Sequence, residues 1–238
     1  YLWHSRRAKA PILDLGLLRL PTFRSAILGG LLFRMGLGAL PFLLPLMLQL
    51  GFGLTALESG LLTFASAAGA MTMKMTAAPI IRAFGFRRVL IGNAVISGLF
   101  LMGYSLFRPD TAHLVIFIAL LAGGFFRSLQ FTAINTLSYA DVPSPRMSKA
   151  TSFASMMQQL SLSIGVGVGA LMLHVTLSLR GAQHVGAQDF LPAFIAIGAL
   201  CITSLVFFLP LAADAGAEVS GHRAAQAEPQ TLRSEGQS

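Results

Sequence analysis

Two arginines stand where an arginine is expensive. The run from Leu114 to Ser138, LVIFIALLAGGFFRSLQFTAINTLS, carries one formal charge, Arg127, near its middle. The run over 22–50 carries Arg34 among Gly30, Gly38 and Pro41. A guanidinium deep in a bilayer is tolerated when it faces water, an acidic group or another helix, and such groups mark substrate and ion pathways. Helical spacing puts Gly123, Gly124, Gln130 and Ser138 on the face of Arg127, while Ile116, Leu120, Phe126 and Leu129 lie mostly elsewhere. That segregation predicts a helix lining an aqueous passage, with Arg127 meeting a solute or a carboxylate from another part of the protein. The same chemistry is expected of Arg34, which lies some ten residues past Arg24, or ~15 Å along a helix, too deep to reach the interface easily. Arg34, Gly38, Arg127, Gln130 and Gln158 form the predicted cavity-lining set. Asn135 and Gln159 are assigned instead to hydrogen bonding between helices. Lys74 is within reach of the interface through its long stem and is read as structural.

The acidic residues are informative by position. Asp14, Glu58, Asp110, Asp141, Asp189, Asp214, Glu218, Glu228 and Glu235 all fall at helix ends, in connectors or in the last 26 residues. A proton carrier in a membrane is normally a buried carboxylate with a raised pKa. None sits at mid-span, so a coupling acid is expected outside these residues. His113, His174 and His184 have no metal-ligand spacing, and no Ser, His and Asp come together in a recognisable triad, so neither a metal, a cofactor nor an enzyme is predicted.

The elements that must position these groups follow from composition. Hydrophobic residues make up 55% of the chain, charged residues 11%, and the mean hydropathy is +0.72. A soluble domain carries about 25% charge. The apolar runs are long and do not alternate, which predicts an all-α membrane protein. The net charge of +8 does not point to nucleic acid, because the basic residues sit in short connectors. Spans are predicted at roughly 22–50, 57–81, 89–107, 114–138, 149–178 and 189–210, giving a six-helix transmembrane domain over 22–212. Residues 1–21 read as a cytoplasmic connector, with a short interfacial helix near 13–20. Tyr1-Leu2-Trp3 before His4-Ser5-Arg6-Arg7 reads as the end of a preceding span, so the chain is expected to be a C-terminal part of a longer protein. Residues 213–238, rich in Ala, Glu, Gln and Ser, read as a disordered cytoplasmic tail. Cys201 reads as a packing residue.

Lys and Arg set the orientation. Alternate connectors hold Arg6, Arg7, Lys9, Arg19 and Arg24, then Arg82, Arg87 and Arg88, then Arg146 and Lys149, then Arg223 and Arg233, while the opposite side has only Arg108 and Arg180. Both ends are therefore expected in the cytoplasm. The first and fourth spans each carry a mid-span arginine among glycines and enter from opposite sides, which is the pattern of a 3+3 inverted repeat with its site near the midplane. Ser161, Gly165 and Gly169 on the fifth span are small residues at helical spacing and predict close helix packing.

Several stretches resemble a known family. Arg82-Ala-Phe-Gly85-Phe-Arg87-Arg88 is similar to the cytoplasmic loop motif of the major facilitator superfamily, although Ala78 and Arg82 stand where that motif usually has glycine and aspartate. Leu40-Pro41-Phe42-Leu43-Leu44-Pro45, Leu129-Gln130-Phe131-Thr132-Ala133-Ile134-Asn135 and Gln158-Gln159-Leu160-Ser161 resemble its 14-helix drug:proton antiporter branch. The resemblance covers about residues 8–210. It implies one half of a major facilitator fold, the C-terminal half of a multidrug efflux transporter, with the N-terminal half as its missing partner. It also implies that the first and fourth spans line the cavity, and that Arg82, Gly85, Arg87 and Arg88 serve a cytoplasmic gate. The expected partners are the lipid bilayer, a small-molecule substrate and protons, and the expected location is the bacterial inner membrane. An exporter of organic anions or metabolites is the alternative within the class. A non-transporting scaffold or a truncated inactive fragment is the alternative outside it.

Overall fold

The computed structural model describes residues 14–182 and 184–221. Every regular element among them is a helix. These are α1 (Pro21–Leu46), α2 (Ala56–Gly103), α3 (His113–Leu137), α4 (Met147–Arg180), α5 (Leu191–Thr203), α6 (Leu205–Phe208) and α7 (Ala217–Ser220), joined by short 3₁₀ turns. Five stretches are long and apolar enough to cross a membrane: Pro21–Gly51, Ala56–Leu106, His113–Tyr139, Ser144–Arg180 and Ala187–Phe208.

Local sequence explains where these helices begin and break. Pro21 stands in the first turn of α1, where its missing N–H is no loss. The helix runs through Pro41 and Pro45 and widens into a π-helical turn, Met47–Gly51. Thr55 and Glu58 cap α2 reciprocally: Thr55 N donates to Glu58 Oε2 at 2.9 Å, and Glu58 N to Thr55 Oγ1 at 3.3 Å. The second long stretch holds 51 residues, about 76 Å if straight, against a hydrocarbon core of about 30 Å. It is interrupted at Gly85, where φ is 74° and ψ is 158°. Only glycine reaches that region readily. The predicted seven-residue connector from Arg82 to Arg88 thus contracts to one non-helical residue, with helix over 56–84 before it and 86–103 after it.

Small residues set how the helices meet. Lipid offers no hydrophobic drive for helix association, so contact depends on close approach. A Cβ on Gly38 would overlap the Leu162 carbonyl of α4, and a Cβ on Gly165 would overlap that of Met35 on α1. The crossing of α3 with the first part of α2 is built the same way, with Gly124 against the Ser66 carbonyl and Gly69 against the Leu121 carbonyl. A Cβ on Gly98 would lie 2.9 Å from the Gly198 carbonyl oxygen, and one on Gly198 would lie 2.7 Å from that of Gly98, where α2 meets α5. Gly36 admits Cys201 and the Ile197 carbonyl of α5.

Ion pairs hold the connectors. Arg146 meets Asp14 at 2.7 Å, and Thr22 donates to Asp141 at 2.7 Å, fastening the start of α1 to the turn before α4. Arg180 pairs with the fully buried Asp189 between α4 and α5. Of the predicted tail, 213–221 carry turns and α7, and Gly216 lies against Phe86 and Leu137. Residues 1–13, with the supposed end of a preceding span, and 222–238 lie outside the described residues.

The glycine seams give a direct expectation. Gly124→Ala should lower stability by about 1–3 kcal/mol through overpacking. Gly92→Ala, where an added Cβ meets nothing within 4 Å, should raise it by about 0.5–1 kcal/mol. Reversible unfolding in mixed detergent micelles measures both. Equal effects of the two would contradict the seam.

Candidate functional site

Arg127 sits in a nest made by three helical stretches. Its Nη1 donates to the Tyr104 hydroxyl at 2.9 Å, its Nη2 donates to Ser66 Oγ, and its Cζ lies 5.9 Å from the Tyr104 ring centre. The Tyr104 hydroxyl in turn donates to the Ala119 carbonyl at 3.3 Å. It can approach because Gly123 has no side chain: a Cβ there would overlap the hydroxyl. Arg34 occupies a second nest, in which Nη2 donates to Asn135 Oδ1 at 2.6 Å and Cζ lies 5.2 Å from the Phe131 ring centre. Its Nε is buried without a partner. Among the described residues neither guanidinium meets a carboxylate.

Burial decides what these groups face. Arg34 is 1% exposed, Arg127 5% and Gln130 0%. Gln130 ties α3 to α2, donating to the Leu90 carbonyl at 3.1 Å, while Asn93 donates back to the Phe126 carbonyl at 2.6 Å. The side-chain oxygens of Gln130, Asn93 and Ser97 remain unpartnered in that seam. Gly38 belongs to the α1–α4 crossing. Of the predicted cavity-lining set, only Gln158 is partly exposed. The structure brings Arg34 and Asn135 together and Arg127, Tyr104 and Ser66 together, each inside the bundle.

The more open polar side chains are others. On α4, Ser152, Ser155, Gln159 and Ser163 are exposed at helical spacing, next to an apolar stripe of Met156, Leu160 and Ile164. On α3, Ser128, Thr132, Asn135 and Thr136 form a half-buried stripe. Ser161, Gly165 and Gly169 are buried on α4, and the two glycines lie against Met35, Ala39 and Leu43 of α1. In the loop motif, Arg87 donates to the Leu209 carbonyl at 3.1 Å, whereas the side chains of Arg82 and Arg88 are exposed.

Tyr104, Ser66, Gly69 and Asn93 were not singled out in the sequence. Gly69 had a visible signal, since it closes the small-residue run Ala65-Ser66-Ala67-Ala68. Tyr104 had none, because its pairing with Arg127 spans 23 residues and needs the fold.

Long apolar helices, glycine seams and guanidiniums held by neutral partners define a multi-pass α-helical membrane protein. Residues 26–235 match the Major Facilitator Superfamily, and the chain belongs to that family. Among curated proteins it is 36% identical over 197 residues to “Putative multidrug resistance protein MdtD” of Salmonella paratyphi A, and 37% identical over 196 residues to the protein of the same name from Enterobacter sp.. Each match covers 79% of this chain and 39% of the relative, so the chain spans about two fifths of the length of these relatives.

The Arg127 nest yields a second expectation. Tyr104→Phe removes an acceptor from a buried cation, and hydrogen bonds to charged groups contribute about 1.5–3 kcal/mol. The variant should lose that much stability in detergent unfolding. An unchanged midpoint would show that the hydroxyl does not hold the guanidinium.

Proposed function

We infer that these residues are the C-terminal, six-span half of a secondary transporter that exports drugs and other amphipathic molecules in exchange for protons by alternating access. The relatives' name supplies the substrate class. The observation that carries the architecture is a correspondence between seams. Met35 and Gly38 meet Leu162 and Gly165; Leu121 and Gly124 meet Ser66 and Gly69. In each case the glycine stands three residues after the residue whose carbonyl receives its partner glycine. Counting the two parts of α2 as separate spans, the first crosses the fifth as the fourth crosses the second. The third meets the sixth through Gly98 and Gly198. A pseudo-two-fold relation between two three-span sets demands this pattern.

The basic connectors support cytoplasmic termini in a bacterial inner membrane. The partners of the reading are lipid, a solute, protons and the preceding part of the same transporter, which would hold the proton-carrying carboxylate. Gly85 lets Arg82, Arg87 and Arg88 turn within one residue at the cytoplasmic end, where Arg87 already binds the end of α6. A gate at that level would act by releasing this contact. One observation favours a second reading, export of organic anions: neither buried arginine has an acidic partner among the described residues.

Inverted vesicles carrying the intact transporter should accumulate a cationic dye such as ethidium when energised by a proton gradient, and lose it on addition of a protonophore. Accumulation that ignores the protonophore would refute proton coupling. Uptake of fluorescein in place of ethidium would select the anion reading. Residues 1–238 alone should support neither.

A further inference from the structure

We propose that Asn135, oriented by Arg34, is a substrate-contacting hydrogen-bond donor that recognises an acceptor oxygen, such as a carbonyl or ether, on the transported molecule. The proposal rests on the transport reading above and specifies the chemistry of its path. A guanidinium carries donors only. The oxygen of the Asn135 amide must therefore be the atom facing Arg34, and Nη2 donates to Oδ1 at 2.6 Å. The amide NH₂ is then turned away from Arg34. It has no partner among the described residues, and Asn135 itself is half-buried rather than enclosed. Donation from a cation into the amide oxygen also polarises the group and strengthens its N–H donors.

Two neighbours on the stripe are already committed as donors. Ser128 donates to the Ala70 carbonyl at 3.0 Å, and Thr136 to the Thr132 carbonyl at 3.0 Å. Their hydroxyl protons are spent on backbone, which leaves them only as acceptors. Arg34 cannot take over the contact, because it is 1% exposed and pinned over the Phe131 ring. Arg34 is thus a positioning residue, acting through the amide it holds. An uncharged donor backed by a buried cation suits a transporter of varied amphipathic solutes, since it selects a common feature, an acceptor oxygen, without demanding a fixed charge.

The test uses the intact transporter and two dyes, rhodamine 6G, which has an ester carbonyl, and ethidium, which has none. Asn135→Ala should raise KM for rhodamine 6G about 3–10-fold, the size of one neutral hydrogen bond, with Vmax within about two-fold and ethidium export unchanged. Arg34→Leu should reproduce this split, Arg34→Lys should restore much of it, and the Arg34→Leu/Asn135→Ala pair should be no worse than Asn135→Ala alone. Equal effects on both dyes, no effect, or additive effects would overturn the proposal. Cysteine labelling decides independently of transport. Cys201 is fully buried, so with any cysteines of the preceding part replaced, a membrane-impermeant maleimide should label Asn135→Cys and spare Gln130→Cys. An unreactive Asn135→Cys beside a reactive Ser155→Cys would overturn the proposal. If the unmodified transporter exports neither dye, the transport reading fails, and the labelling still settles whether Asn135 faces water.

Discussion

Everything in this bundle depends on backbone reaching backbone. In water a helix can be driven onto its neighbour by burying leucines, but in lipid the alternative environment is equally apolar. What remains is dispersion at short range and hydrogen bonding. Both require that side chains not hold the helices apart. Gly38, Gly165, Gly69 and Gly124 meet that requirement at two crossings, where a carbonyl of one helix fills the space of the missing Cβ on the other. The broad faces of α4 and of the first part of α2 stay exposed, with residues such as Leu160 and Met75 open to their surroundings. The seams, rather than a large core, hold these two helices.

The close seams also explain how two guanidiniums can be buried without acidic partners. Bringing α3 against both parts of α2 places Tyr104 and Ser66 within reach of Arg127, and bringing α1 near α3 places Asn135 and Phe131 around Arg34. Each charge is met by neutral acceptors and an aromatic face, a cation–π contact that gains strength where water is excluded. Replacing such an arginine leaves its acceptors stranded, while a nearby carboxylate would bind it more strongly than the hydroxyls do.

Periodicity grouped Arg127 with Gly123, Gly124, Gln130 and Ser138, and all five are buried. What it could not tell was the identity of the surroundings. A helical wheel shows that a face differs from lipid; water, another helix and a partner subunit all satisfy that condition. Ile116, Leu120 and Leu129, expected elsewhere on α3, are buried as well, because α3 is flanked by both parts of α2. On α4, Gln158 and Gln159 differ by about 100° around the helix, and Gln159 is the more exposed of the two. Helix ends were legible to within a few residues because turn chemistry marks them locally. The loop motif was misjudged in length because a single glycine at φ 74° does the work of a connector.

The proposed repeat bears on the two arginines in a way their similar settings hide. Aligning the crossings sets Gly38 opposite Gly124, so Arg34 stands four residues before its crossing glycine and Arg127 three residues after. The position matching Arg34 is Leu120, and the one matching Arg127 is Pro41. The arginines are therefore not copies of one ancestral feature under this relation, and their nests share no partner type beyond an aromatic ring. Arg127 is bound to hydroxyls between helices that contact along their length, which suits a fastening. Arg34 is bound to a half-buried amide on a polar stripe, which suits transmission to whatever occupies that stripe. Under the proposed repeat, a symmetric scaffold would carry an asymmetric pair of arginines, one fastening helices and the other holding the amide of Asn135.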